Sequence, residues 1–425
     1  MASKPREAAL DVLNRCCDEN GWSTQNLENT IRRYSLDRRD TALTYRLALG
    51  VLQNTALLDF YINSFLQGKS AIQKEVRNIL RLGAYQILYS DRIPDRAAVS
   101  ESVELCRSAR MKSASGLVNA VLRRISENKN SLPQIPDQSR EQYLAVKYSH
   151  PQWLCKRLSD DFGDEEAENI LKYDNTVPPL SVQVNPLKIS EERFAEELER
   201  AGIAADSAGN GTFQLGGVSP QEVPGYSEGW FYVQDPAALY SVRSAQPAKN
   251  SRVLDACSAP GGKSFAAAIC MENLGEIISC ELHEKKLSLV EASAQRLGIS
   301  IIKTKAIDAR ERFEPFLERF DTVIADVPCS GFGVIAKKPE IRFKNYESVS
   351  GLPAIQRAIL ENVSGYVRPG GKLLYSTCTI FHEENEDIVQ EFLAEHREFQ
   401  LASEKLFLPG KENCDGFYTA LMIRE

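Results

Sequence analysis

The chain is expected to fold as an all-α N-terminal bundle, a small α+β domain and a C-terminal doubly wound α/β domain, and three observations carry that expectation. Apolar residues recur at helical spacing through about the first 130 residues. Beyond Lys249, short apolar runs alternate with helical segments, the pattern of a mostly parallel sheet. At Arg252–Ser264, RVLDACSAPGGKS, an apolar run ends on an acid and passes through small residues, a Pro and two Gly into a helix. A strand, tight turn and helix N-terminus of this kind aim backbone N–H groups at whatever lies above the strand, where open α/β sheets hold their cofactors.

A length of 425 residues suits two or three cores, here 1–130, 141–246 and 247–425. Hydrophobic residues at 43% and charged residues at 26% describe an ordinary globular chain. Lys4, Arg6, Glu7, Asp11 and Arg15 leave no room for an apolar signal segment at the start, and no apolar run approaches the ~20 residues of a membrane helix. The ten cysteines form no C-x-x-C pair and there are four His, which argues against a zinc site or a disulfide scaffold. Reduced thiols in a cytoplasm are expected instead, with no metal, no membrane and a monomeric chain. A net charge of −7 does not advertise nucleic-acid binding, so that function requires locally gathered positive charge.

Within the bundle the clearest helix is Ala71–Tyr89, with Ile72, Val76, Ile79, Leu80, Ala84, Ile87 and Leu88 at helical spacing. Pro94–Asp95 opens another, and Ser113 is placed to cap a third through Leu117, Val121 and Ile125. The polar faces carry Arg32, Arg33, Arg38, Arg39, Arg107, Arg110, Arg123 and Arg124, which together would make a basic, RNA-facing patch on an acidic protein. The polar, Pro-containing stretch 128–140 reads as a linker. In the following domain Leu180–Asn185 and Trp230–Asp235 read as strands and Glu191–Ala201 as an amphipathic helix. Later strands are expected at Val253–Ala256, Glu276–Cys280, Ile301–Ala306, Thr322–Asp326, Lys372–Ser376 and Phe417–Ile423, with helices at Glu284–Leu297, Leu352–Val367 and Glu383–His396.

Acids recur where successive strands end: Asp255, Glu281, Asp308 and Asp326. A carboxylate after the second strand suits the two hydroxyls of a ribose, since it accepts both protons. Asp308 is placed for the exocyclic amine of adenine. Rim and turn together indicate S-adenosylmethionine or a nucleotide. The turn lacks the glycines of G-x-G-x-x-G, and a P-loop would need Gly where Cys257 stands, which favours the former. Two thiols leave neighbouring strands, Cys329 in Asp326–Gly331 (DVPCSG) and Cys378 in Tyr375–Thr379 (YSTCT). Paired above one sheet, they suit addition to an electron-poor pyrimidine, because a thiolate is nucleophilic near neutrality and leaves readily.

The series D-A-C-S-A-P-G-G-K, D-V-P-C-S-G and Y-S-T-C-T resembles the RNA cytosine-5 methyltransferases, and with the helical N-terminal domain it is similar to the Sun/Fmu-type ribosomal enzymes with a NusB-like domain. That resemblance implies a Rossmann-like methyltransferase domain using S-adenosyl-L-methionine and a 16S ribosomal RNA substrate, methylated at carbon 5 of one cytosine, number 967. It implies that Cys257, Ser258, Ala259, Pro260, Gly261, Gly262 and Lys263 bind the cofactor with Glu281 at the ribose, Asp308 at the adenine and Asp326 between cofactor and base. It implies catalysis by Cys378 as nucleophile, Cys329 in product release, Asp326 and Lys263. The residues alone do not rank the thiols, because DNA cytosine methyltransferases attack with a Cys that follows Pro, as Cys329 does. Ser258 stands where Ala is common, Glu281 where Asp is common, and Gln183 where Arg is frequent and would contact RNA. Lys337, Lys338, Arg342 and Lys344 are placed to hold an RNA backbone. The rival readings are a methyltransferase for transfer RNA or DNA and an inactive NusB-like RNA-binding protein.

Overall fold

A computed structural model describes residues 3–16, 23–66, 72–137 and 139–425, which form two compact units. The first comprises the chain to Thr176 together with Ile335–Lys344, and the second comprises Val177–Val334 and Asn345–Glu425.

The first unit is helical. Seven helices, Lys4–Cys16, Ser23–Tyr34, Arg38–Gln53, Thr55–Phe65, Lys74–Tyr89, Asp95–Ser108 and Ser115–Glu127, bury one apolar face each. Leu47, Val51, Ile79, Leu80, Ile87, Leu105, Val118, Leu122 and Ile125 share their core. Asp37 caps the third helix by accepting from Asp40 N at 2.8 Å. Helix Lys74–Tyr89 matches the apolar repeat expected from Ala71, which itself lies outside the described residues. Ser113 does not cap: it sits in a 3₁₀ turn, Lys112–Ala114, that leads into Ser115–Glu127 without a side-chain cap. The polar segment 128–140 joins this bundle to three more helices of the same unit, Arg140–Lys147, Gln152–Phe162 and Asp164–Tyr173. Of the eight arginines, Arg124 is half-buried and donates to Phe65 O at 3.2 Å, while the others are exposed.

Arg342 overturns a sequence expectation. It is fully buried in the first unit, where Nη1 donates to Gln53 O at 2.7 Å and Asn175 Oδ1 at 2.9 Å, and Nη2 to Asp174 O at 3.1 Å. A guanidinium spent on these acceptors is not available to a phosphate. Beside it His150 Nε2 lies 3.3 Å from Asp174 Oδ2. Burial pushes the Asp174 carboxyl up to about 7, and burial with the Arg342 charge holds His150 well below its ordinary value.

The second unit holds two sheets. β1 (Leu180–Val184), β2 (Ala205–Gly209), β3 (Thr212–Leu215) and β4 (Phe231–Val233) form an antiparallel sheet in the order β2-β3-β1-β4. Helix Glu191–Arg200 covers it, packing Phe194 and Leu198 against Val182, Phe213 and Phe231. Gln183 is buried here, donating to Gln234 O at 3.0 Å and accepting from Thr212 Oγ1 at 2.7 Å, so it ties strands together.

The larger sheet contains β5 (Arg252–Asp255), β6 (Glu276–Glu281), β7 (Ile302–Ala306), β8 (Phe320–Asp326), β9 (Val367–Thr377), β10 (Phe399–Phe407) and β11 (Phe417–Arg424). Their order is β10-β11-β9-β8-β5-β6-β7. The pairs from β9 to β7 are parallel, whereas β11 runs antiparallel to both β9 and β10. Val323, Ile324 and Ala325 of β8 are fully buried, as a strand covered on both faces by helices requires. All six expected strands are present, while β10 was not foreseen. The central position of β5 and β8 brings the glycine turn and Asp326 to one rim.

Candidate active site

β5 ends on Asp255, whose carboxylate turns inward. Ser264 donates to Asp255 Oδ2 at 2.7 Å and exchanges a 2.7 Å bond with Ser279 of β6, locking the following helix onto the sheet. Burial pushes the Asp255 carboxyl up to about 7. Asp255 is thus a support beneath the turn, unlike the other rim acids. The turn is fixed from both sides, since Ala256 N donates to Ile324 O at 2.9 Å and Ser258 N to Cys280 O at 2.8 Å. Gly261 has φ 112°, and a Cβ there would fall 2.3 Å from the Phe265 ring, so the tight approach of turn to helix demands Gly. Helix Gly262–Cys270 begins at once, presenting its free N–H groups.

Lys263 leaves the first turn of that helix with Nζ 2.7 Å from Asp326 Oδ2 and 4.9 Å from the centre of the Phe417 ring. The other Asp326 oxygen accepts from Ser376 Oγ at 2.8 Å. A carboxylate at the end of β8 is therefore held by a cation from the glycine turn and a hydroxyl from β9. Pro260, Lys263, Asp326, Tyr232 and Gln234 line a cleft of about 350 Å³. Cys257 joins the turn as a neutral thiol, raised well above its ordinary value by burial and by the charges of Asp255, Asp326 and Glu281.

Glu281 ends β6 with Oε1 accepting from His283 N at 3.2 Å and Lys286 Nζ at 3.3 Å. Ile307 N donates to Glu281 O at 3.2 Å, bringing the Asp308 segment alongside. Arg310 engages both Asp308 oxygens, Nε to Oδ1 at 2.9 Å and Nη2 to Oδ2 at 2.5 Å, and holds its carboxyl below the usual range.

Cys329 Sγ and Cys378 Sγ stand 3.1 Å apart, and Cys378 N–H points at Cys329 Sγ at 3.2 Å. The hydrogen bond with Cys378, then burial, then the charges of Cys378 and Glu384 keep Cys329 in its thiol form. Pairing of the thiols follows from β8 and β9 being parallel neighbours, with Asp326 opposite Ser376. Sequence reading missed Ser264, Ser376, Gln356, Glu384 and Asn385 as parts of this assembly. Glu384 and Asn385 follow Cys378 closely in the chain, where they read as the start of an amphipathic helix; the described helix begins at Glu386.

This sheet, its glycine turn and its rim of acids define a Rossmann-like methyltransferase domain. Residues 242–423 match the family model of 16S rRNA methyltransferase RsmB/F, residues 3–127 that of the NusB family, and residues 150–212 that of the RsmF/B-like ferredoxin-like domain. A probable ribosomal RNA small subunit methyltransferase B of Bacillus subtilis is 35% identical, over 93% of this chain and 89% of its own. Ribosomal RNA small subunit methyltransferase B of Klebsiella pneumoniae is 31% identical, over 96% and 95%. Among solved structures PH0851 superposes with a TM-score of 0.82 over 99% of this chain and 98% of its own at 24% identity. NSun6 from Pyrococcus horikoshii, solved with SFG, gives 0.59 over 64% and 98% at 22%. The chain belongs to the ribosomal RNA small subunit methyltransferase B family of S-adenosylmethionine-dependent methyltransferases.

Proposed function

We propose that the protein methylates carbon 5 of one cytosine in 16S ribosomal RNA, the base numbered 967, through a transient bond between Cys378 and carbon 6. The observation that carries this reading is the 3.1 Å pairing of the two sulfurs on the rim that also holds the Lys263–Asp326 pair.

The residues present fit the cofactor. Ser258 Oγ is buried in the turn without a hydrogen-bond partner, which calls for a polar ligand. Cys257–Lys263 would cradle its methionine side, Glu281 its ribose and Asp308 its adenine, with Arg310 yielding an oxygen. Bound there, S-adenosylmethionine supplies an electrophilic methyl group. Cys378 as thiolate adds to carbon 6 and makes carbon 5 electron-rich. Asp326, oriented by Lys263 and Ser376, stabilises the negative charge developing at N3 by presenting a proton to that nitrogen. Cys329 relays the carbon 5 proton as the Cys378 bond breaks, or takes it as a base once its own thiol proton has been passed on. The base has to leave its stack, at a few kcal/mol and least in a loop or bulge, and the exposed arginines of the helical unit supply backbone contacts. A monomer acting on the small-subunit precursor is the working unit.

Bisulfite mapping of ribosomal RNA from cells lacking the protein tests this. A single missing 5-methylcytosine on the small-subunit RNA is expected. An unchanged map of that RNA, with the modification lost from transfer RNA instead, would replace the substrate.

A further inference from the structure

Two adjacent buried residues bracket both thiols. Glu384, 2% exposed, accepts at Oε2 from Ser330 N at 2.9 Å and from Gln356 Nε2 at 2.8 Å. The same Gln356 nitrogen reaches Pro328 O at 3.1 Å, so the residues on either side of Cys329 are held through one carboxylate. Asn385, fully buried, accepts at Oδ1 from Thr377 Oγ1 at 2.5 Å and donates from Nδ2 to Thr379 O at 3.1 Å, holding the residues on either side of Cys378. The dipeptide is itself anchored, because Tyr375 of β9 donates to Glu384 O at 2.6 Å. The two loops also meet directly, through Ser330 Oγ donating to Thr379 Oγ1 at 2.8 Å and Gly333 N to Cys378 O at 3.0 Å, and the dipeptide holds each from behind. Charge-assisted and buried hydrogen bonds are the strong ones, and a buried donor left without its acceptor is costly.

We infer that Glu384 and Asn385 are positioning residues that set the two sulfurs against each other, Glu384 fixing the Cys329 loop and Asn385 the Cys378 loop. This rests on the functional reading above for its kinetic consequences, while the geometric claim stands apart from it. A carboxamide oxygen can accept both bonds that Glu384 takes, so Glu384→Gln preserves the clamp. Asn385→Asp keeps the bond from Thr377 but sets a carboxylate oxygen against Thr379 O, which releases the Cys378 loop.

The test uses the full chain with two readouts. The first is the rate at which Cys329 and Cys378 join as a disulfide under diamide, a two-electron thiol oxidant, which reports their juxtaposition without RNA. The second is kinetics and protein–RNA adduct formation on a 16S transcript. Asn385→Asp and Glu384→Ala are expected to slow disulfide formation at least tenfold, and Glu384→Gln to leave it within twofold. Asn385→Asp is expected to lower kcat at least tenfold with KM within twofold and little adduct. Glu384→Ala is expected to accumulate adduct. Should Glu384→Ala not fold, Gln356→Met, which unties Pro328 while keeping the side-chain volume, takes its place with the same expectation. Disulfide rates unchanged in all variants would overturn the inference, as would adduct accumulating in Asn385→Asp and not in Glu384→Ala. Slowed disulfide formation in a chain that never methylates the transcript would overturn the functional reading and leave the clamp standing.

Discussion

Lys263 Nζ sits 2.7 Å from Asp326 Oδ2, joining the helix that follows the glycine turn to the end of the neighbouring strand β8. Lys263 is nearly buried and Asp326 two-thirds so, a setting in which an ion pair orients its members more than it adds stability. Lys263→Met is expected to lower kcat about 100-fold, the size usual for a lost electrostatic donor, with a small change in unfolding temperature. Steady-state methyl transfer from labelled S-adenosylmethionine reads it. A wild-type kcat would remove the pair from the chemistry.

Gly261 provides a test of the turn. With φ 112° and the Phe265 ring 2.3 Å from a prospective Cβ, Gly261→Ala must displace turn or helix. Affinity for S-adenosylmethionine, measured by titration calorimetry, is expected to fall at least about tenfold. Affinity unchanged within twofold would place the cofactor elsewhere.

Asp255 makes stability depend on pH. Its carboxyl is raised from 3.8 to about 7, chiefly by burial, so the folded state holds its proton more tightly than the unfolded chain. That contribution is complete below about pH 4 and is lost as pH rises through 7. Asp255→Asn carries no such charge. The advantage of Asn over Asp in unfolding free energy is therefore expected to grow between pH 5 and pH 8, on the order of 1 kcal/mol or more. A difference that shrinks over that range would contradict the assignment.

Arg342 anchors Ile335–Lys344 within the helical unit. Removing it leaves Gln53 O and Asp174 O without their donor in a buried setting. Arg342→Met is expected to cost about 3 kcal/mol in urea unfolding, and Arg342→Lys to recover little, since an ammonium cannot reproduce the planar fork. A loss below about 0.5 kcal/mol would mean the segment is held by its apolar contacts instead.

Much of this architecture was legible because it rests on local pattern. The strands ending at Asp255, Glu281 and Asp326 are apolar runs with sharp ends, and the thiols lie three residues (Cys329) and one residue (Cys378) beyond parallel neighbours. What escaped reading depends on partners far along the chain. β10 lies at the sheet edge with Gln400–Glu404 exposed, so its sequence lacks the apolar alternation of a strand. The β2–β3 hairpin did carry a signal, Asn210–Gly211, both with positive φ, the pair that a two-residue hairpin turn prefers. Arg342 reads as a solvated cation in the sequence, and apart from Pro339 O, three residues back, the acceptors Asn175 Oδ1, Asp174 O and Gln53 O lie 167 or more residues away. Ser376, Glu384 and Asn385 are ordinary polar residues until folding aims them at Asp326 and the two loops.

The most direct test of the chemistry is denaturing gel analysis of the two cysteine variants incubated with the 16S transcript and labelled S-adenosylmethionine. Cys378→Ala is expected to give neither methylated RNA nor a protein–RNA adduct. Cys329→Ala is expected to transfer one methyl group and remain bound to the RNA through Cys378. An adduct formed by Cys378→Ala and absent from Cys329→Ala would reverse the roles of the two sulfurs and contradict the account.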